Sequence, residues 1–304
     1  MKHSFKILII FLLIVLIPLS VAEIFLRYAL YTGFDRVFSD PYGDGSERDE
    51  AKAFLDSCRD VYITSEDGLR LHAYLYDENK SGKYVITMHG YKDTALYNGI
   101  FYRYMACHGY DVLVLDVRGH GESEGVWLSM GKWESMDLLS WIDFIRNMDE
   151  NAKIALHGIS MGGATVMLAS GENPEGVVAA VEDCGYSSVY EEFRFQLEKY
   201  HIPSSLILRF VDWWCSLRLG FRFSEVVPSE SVAKTDIPML FIHGNADDFV
   251  PTWMVVPCYE SHRGEKEIWI AEGASHARTM DKYPEEYNRL CYEFIEREMM
   301  ACQN

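Results

Sequence analysis

Apolar and polar positions along this chain fall into two alternating patterns. Short, almost wholly apolar runs at 83–88, 111–116, 153–157 and 177–183 read as strands. Between them, 94–108, 131–148 and 161–171 place their apolar residues at helical spacing. Strands apolar at nearly every position are covered on both faces. Alternation with helices therefore predicts an α/β chain with a mostly parallel sheet and crossover helices. Two earlier runs, 61–65 and 70–76, flank Glu66-Asp67-Gly68 and read as a hairpin. The pattern resumes with strand 238–243, helix 252–262, strand 267–271 and helix 284–299. Residues 187–236 interrupt it with a helical stretch rich in large apolar groups, including Phe193, Phe195, Phe210, Trp213, Trp214 and Phe223.

The N-terminus carries a different pattern. Lys2 and Lys6 precede sixteen uncharged residues, Ile7 through Ala22, followed by Glu23 and Arg27 on one helical face. A helix continued through Tyr31 predicts a single-pass anchor over 1–31, with Arg27 and the tyrosines at the far interface. The lysines would keep the N-terminus inside and place the remainder on the extracytoplasmic side of the cell membrane. The competing expectation is a cleaved signal ending at Ser20-Val21-Ala22 and a secreted product. A polar connecting segment, 32–60, follows, and 61–304 forms the main domain.

The formal net charge of −18 over 304 residues excludes a nucleic-acid-binding surface. Seven cysteines show no C-x-x-C spacing, and no metal or nucleotide motif is present, so neither metal nor cofactor is expected.

Chemistry concentrates at Gly158-Ile159-Ser160-Met161-Gly162, which lies between a predicted strand and a predicted helix. A serine hydroxyl becomes a useful nucleophile where a tight turn thrusts it toward a base, and such a turn demands glycine two positions to either side. The candidate base is His276, in the small-residue loop Gly273-Ala274-Ser275-His276-Ala277. His89, His157 and His243 each precede a glycine at a strand end, where a ring bonded to nearby backbone is the better reading; His120 is read as structural too. The acid has three candidates: Asp247 in the loop after 238–243, its neighbour Asp248, and Asp183 at the end of 177–183.

With His89-Gly90-Tyr91 and Asp116-Val117-Arg118-Gly119-His120-Gly121, these features resemble the α/β-hydrolase superfamily over about residues 60 to 300. The likeness is greatest to bacterial membrane-anchored hydrolases of the serine aminopeptidase and monoacylglycerol-lipase-like branch. The resemblance implies an eight-stranded, mostly parallel sheet flanked by helices, with a helical lid at about 187–236 after the sixth strand. It favours Asp247, which matches that branch's H-G-x-x-D-x-x-V-P pattern, and so implies a Ser160–His276–Asp247 triad. The backbone N–H groups of Met161 and Tyr91 would form the oxyanion hole. A serine hydrolase acting on a small-molecule ester or lipid-like substrate is the first expectation. A peptidase or amidase with the same triad is the second, with Glu191, Glu192 and Glu198 available to grip a free amine. A non-catalytic binding protein on the same fold is the third. The oligomeric state is not readable from the sequence.

Overall fold

The computed structural model describes residues 2–33 and 45–301. Eight strands form one sheet: β1 (Arg59–Thr64), β2 (Arg70–Tyr76), β3 (Lys83–Met88), β4 (Asp111–Leu115), β5 (Lys153–Ile159), β6 (Val177–Asp183), β7 (Met239–Gly244) and β8 (Lys266–Ala271). Their spatial order is β1-β2-β4-β3-β5-β6-β7-β8. The β1–β2 and β2–β4 pairs are antiparallel, and the remaining pairs, from β4–β3 to β7–β8, are parallel. Every residue of β4 and β7 is buried, as expected for strands covered on both faces. One core cluster joins Val85, Val112, Val114 and Val181 to Phe101, Tyr287 and Phe294 from flanking helices. The helix Ser46–Ser57, at the end of the expected connecting segment, contributes Ala51 and Leu55 to this core. Residues 34–44 of that segment lie outside the described residues.

The chain divides into two compact units. One comprises Thr32–Ser187 and Val227–Asn304 and contains the whole sheet; the other joins Met1–Tyr31 to Ser188–Val226. In this second unit the helix Lys2–Leu30 packs on the helix Ser204–Leu219. Phe25 meets Phe193 edge-on at 5.4 Å between centroids, and Phe193 meets Phe223 at 4.8 Å. Such pairs add roughly 0.5–1.5 kcal/mol each beyond the area they bury. Glu23 pairs with Arg27 at 2.9 Å, accepts the Trp214 indole N–H at 3.2 Å and lies 3.7 Å from Arg218.

This arrangement corrects the expected transmembrane anchor, and with it the single-pass, extracytoplasmic placement and the membrane as partner of the N-terminal helix. Among the described residues, no helix is long and apolar enough to cross a membrane. The reason is legible in the helix itself. Its sixteen-residue uncharged run spans only about 24 Å at 1.5 Å per residue, short of the ~30 Å hydrocarbon layer. Ala22 at the end of that run, and Leu26 and Leu30 beyond it, are fully buried, and Glu23 and Arg27 hold polar partners in the protein. The supposed cleavage triplet, Ser20-Val21-Ala22, lies inside the continuous helix.

Candidate active site

Strand β5 ends at Ile159 and the helix Met161–Ser170 begins two residues later, so the reversal falls on Ser160. Its backbone adopts φ 57°, ψ −116°. That strain costs an L-residue on the order of 1–3 kcal/mol and persists only where the surroundings enforce it. Here the Ser160 N–H donates to the Asp183 carbonyl at 2.7 Å. A Cβ on Gly158 would lie 2.3 Å from the Gly162 carbonyl, and one on Gly162 would lie 2.6 Å from the Met88 carbonyl oxygen. Neither glycine can be enlarged without moving backbone, so the two residues fix the turn.

Two loops at the same end of the sheet bring the partners. His276, in the loop after β8, has Nε2 at 2.8 Å from Ser160 Oγ and Nδ1 at 2.7 Å from Asp247 Oδ2. Asp247 follows β7, and its Oδ1 accepts the Phe249 and Val250 N–H groups, each at 2.9 Å. Those two amides orient the carboxylate so that Oδ2 faces the imidazole. Burial works to raise the Asp247 pKa, but hydrogen bonds from His243 and His276 and their positive charge outweigh it and hold the group at about 2. A carboxylate opposite Nδ1 keeps the ring proton there, which turns the Nε2 lone pair toward the serine hydroxyl. The arrangement can therefore take a proton from Ser160 Oγ and return it.

Of the two expected oxyanion donors, Met161 directly follows the serine and Tyr91 follows a glycine packed against it. Met161 opens its helix, so its N–H has no acceptor within that helix. Gly90, which precedes Tyr91, packs so closely that a Cβ there would sit 3.3 Å from Ser160 Cβ. The Tyr91 ring carries a cation–π contact with Lys92 at 5.2 Å.

His89 has backbone partners in Gly90 and Val117, and His157 lies between the Thr87 and Tyr287 hydroxyls, each at 2.8 Å. His243 has a further neighbour that the sequence reading gave no weight. Its Nε2 donates to the Val250 carbonyl at 2.9 Å and lies 3.4 Å from Asp247 Oδ2, with both side chains wholly buried. Burial works to lower its pKa, but Asp247 and Glu182 outweigh that and raise it. The H-G-x-x-D spacing was the available signal.

Asp183 stands apart from the Ser160–His276–Asp247 relay. It is fully buried, and neither carboxylate oxygen has a hydrogen bond of good geometry. Burial pushes it up to about 7, and pushes its strand neighbour Glu182 up to about 8. Both folded-state values exceed unfolded ones, so the stability these groups contribute is complete near pH 4 and declines as pH rises toward 7–8. His243, with its raised pKa, adds to the same trend. Asp247 acts oppositely: its contribution is present above about pH 4 and is lost as pH falls through about 2. Replacing the Glu182 carboxyl with an amide should therefore make the melting temperature fall less, or rise more, between pH 5 and pH 8 than it does in the wild type. Glu182 alone accounts for roughly 3–4 kcal/mol at about 1.4 kcal/mol per pKa unit. Thermal melts of the wild type and Glu182→Gln across that range check this; an unchanged slope in the variant contradicts it.

Comparison with known proteins places the chain. Residues 79–191 match the family model described as serine aminopeptidase, S33. The protein YqkD of Bacillus subtilis (strain 168) is 31% identical over 238 residues, covering 77% of this chain and 78% of that one. The Pyrococcus furiosus esterase Pf2001 superimposes with a TM-score of 0.68 at 25% identity, covering 86% of this chain and 98% of that one. The chain belongs to the α/β-hydrolase superfamily. The eight-stranded sheet with its antiparallel start and long parallel run is this superfamily's architecture. Another member of the fold, the acylaminoacyl peptidase of Pyrococcus horikoshii, matches with a TM-score of 0.61 at 18% identity, a likeness of fold alone. The family match and the esterase neighbour support a hydrolase, while the bond it cleaves is a property of its own site.

Proposed function

We propose that this α/β-hydrolase is a serine esterase working through an acyl-enzyme. Ser160 Oγ attacks the ester carbonyl while His276 Nε2 takes its proton. The tetrahedral oxyanion then collapses, the alcohol leaves with the proton from His276, and water repeats the sequence to release the acid. Asp247 holds the ring and stabilises its charged form. The N–H groups of Met161 and Tyr91 are the proposed oxyanion donors, aimed where charge develops. The observation that carries this reading is the unbroken hydrogen-bonded relay from Asp247 through His276 to Ser160. The similarity to an esterase at 25% identity supports the choice of bond. We read Ser188–Val226, which leaves the chain between β6 and β7, as the lid expected at that point of a superfamily member.

Amide hydrolysis is the second reading, favoured by the serine aminopeptidase family model. Nitrophenyl esters and nitroanilides carrying the same acyl or aminoacyl group separate the two. The esterase reading expects kcat/KM for the ester to exceed that of the matched anilide even after each is divided by its uncatalysed rate, by about tenfold or 1.4 kcal/mol of transition-state stabilisation. A corrected ratio favouring the anilide, most of all one requiring a free α-amine, assigns the protein as a peptidase instead.

A further inference from the structure

The triad has a neighbour that esterase chemistry does not use. Cys184 follows the last residue of β6, with φ of +49° turning the chain at that point. Its thiol is buried, and its sulfur, a carboxylate oxygen of Asp247 and a ring nitrogen of His276 all lie within 4.8 Å of one another. Three donors of different kinds converge: a thiol, a carboxylate and an imidazole. We propose that Cys184, Asp247 and His276 form a coordination site for a zinc-like divalent cation, and that its occupancy switches the hydrolase off.

The donor set selects the ion. Thiolate, imidazole and carboxylate together suit a borderline-soft cation such as Zn²⁺, whereas Mg²⁺ and Ca²⁺ favour oxygen-only sites. The charges balance as well, because one thiolate and one carboxylate neutralise a dication. Asp183 adds a third acidic group, close enough for its charge to act on Cys184. Zinc binds such ligands at about 2.0–2.3 Å, which places tetrahedral donors roughly 3.3–3.8 Å apart. Reaching that range takes side-chain shifts of roughly 1 Å: the widest separation, up to 4.8 Å, closes, and the 2.7 Å between Nδ1 and Asp247 Oδ2 opens to admit the ion. Of the three ligands His276 is the one that reaches solvent, with 20% of its side chain exposed.

Protons and charge are conserved in the switch, and nothing is oxidised or reduced. The Cys184 thiol releases its proton to solvent as the sulfur binds. Burial and the neighbouring carboxylates push that thiol up, so proton release opposes binding and affinity rises with pH. Nδ1, the ring nitrogen that faces Asp247 at 2.7 Å, gives its lone pair to the metal. The neutral imidazole then carries its proton on Nε2, which points at Ser160 Oγ and can no longer accept from it. Metal binding stands on the three donors alone; the loss of activity rests on the proposed role of His276 as base.

The test uses the full chain, titrated with Zn²⁺ and with Cd²⁺ as a spectroscopic probe. Expected are a saturable ultraviolet thiolate-to-cadmium absorbance at one ion per chain, release of a proton, and parallel loss of ester turnover. In Cys184→Ala and Cys184→Ser the absorbance should disappear. The Zn²⁺ concentration for half-inhibition, measured against each variant's own metal-free rate, should rise about tenfold or more, the scale of losing one ligand. The serine variant preserves size and a hydrogen-bonding group if the alanine variant does not fold. Absence of a Cys184-dependent absorbance, or equal zinc sensitivity in wild type and Cys184→Ser, overturns the site. A Cys184-dependent absorbance with undiminished turnover upholds the site but overturns the switch, and with it His276 as the base.

Discussion

Ser160→Ala should abolish both ester turnover and covalent labelling by a fluorophosphonate. The probe needs a nucleophile with an adjacent base, and the Ser160 hydroxyl is 2.8 Å from His276 Nε2. Removing a triad serine costs on the order of 10⁴–10⁶ in kcat. What remains is transition-state binding by oxyanion donors and substrate contacts, which does not depend on the hydroxyl. The fold should survive, since alanine is smaller and the turn is held by backbone: the Ser160 N–H to the Asp183 carbonyl and the two glycines at 158 and 162. Circular dichroism and the melting temperature establish that the variant is folded. A folded Ser160→Ala enzyme retaining more than about a tenth of wild-type turnover would overturn the mechanism, because no triad serine is that dispensable.

The second large effect separates the two buried aspartates. Asp247→Asn should lower kcat by about 10⁴, the cost of presenting an amide where the imidazole needs a carboxylate. An amide cannot both hold the Nδ1 proton and balance the imidazolium charge that forms when Ser160 gives up its proton. Asp183→Asn should leave kcat within a few-fold of wild type, for a specific electrostatic reason. Burial pushes Asp183 up to about 7, so below that pH the native protein holds a neutral acid there. Asparagine replaces one neutral polar group with another of the same shape. Measured kcat for both variants at pH 6, with folding verified, decides the matter. A dead but folded Asp183→Asn beside an active Asp247→Asn would move the acid to β6.

Each of these expectations depends on features that local sequence could or could not carry. The parallel sheet was legible because a strand covered on both faces leaves an apolar run, and a crossover helix leaves a 3.6-residue period; β4 and its neighbours wrote both signals plainly. The elbow was legible because sterics there tolerate only glycine at 158 and 162, so the constraint is recorded in residue type. Asp247 was distinguishable from Asp183 only through its H-G-x-x-D-x-x-V-P setting. In the structure the Phe249 and Val250 amides hold the Asp247 carboxylate, while that of Asp183 is buried without a hydrogen bond of good geometry.

The N-terminal helix marks the limit. Hydropathy records that a segment is apolar but not what it meets in the fold: Ala22, Leu26 and Leu30 are buried in the protein, whereas Leu13, Leu16 and Ile17 are exposed. Glu23 and Arg27 looked like interface charges, yet the Trp214 indole that bonds Glu23 lies 191 residues away in the chain. His243 and Cys184 are of the same kind: each is unremarkable in its own segment and acquires a role only through what the sheet places beside it. The sequence by itself determined which elements form and where a strained serine must sit, because secondary-structure period and backbone sterics act over a few residues. Which side chains meet across the sheet, and therefore which groups stay neutral and what the first helix packs against, was decided only by tertiary structure, since burial and short-range electrostatics depend on distance in space.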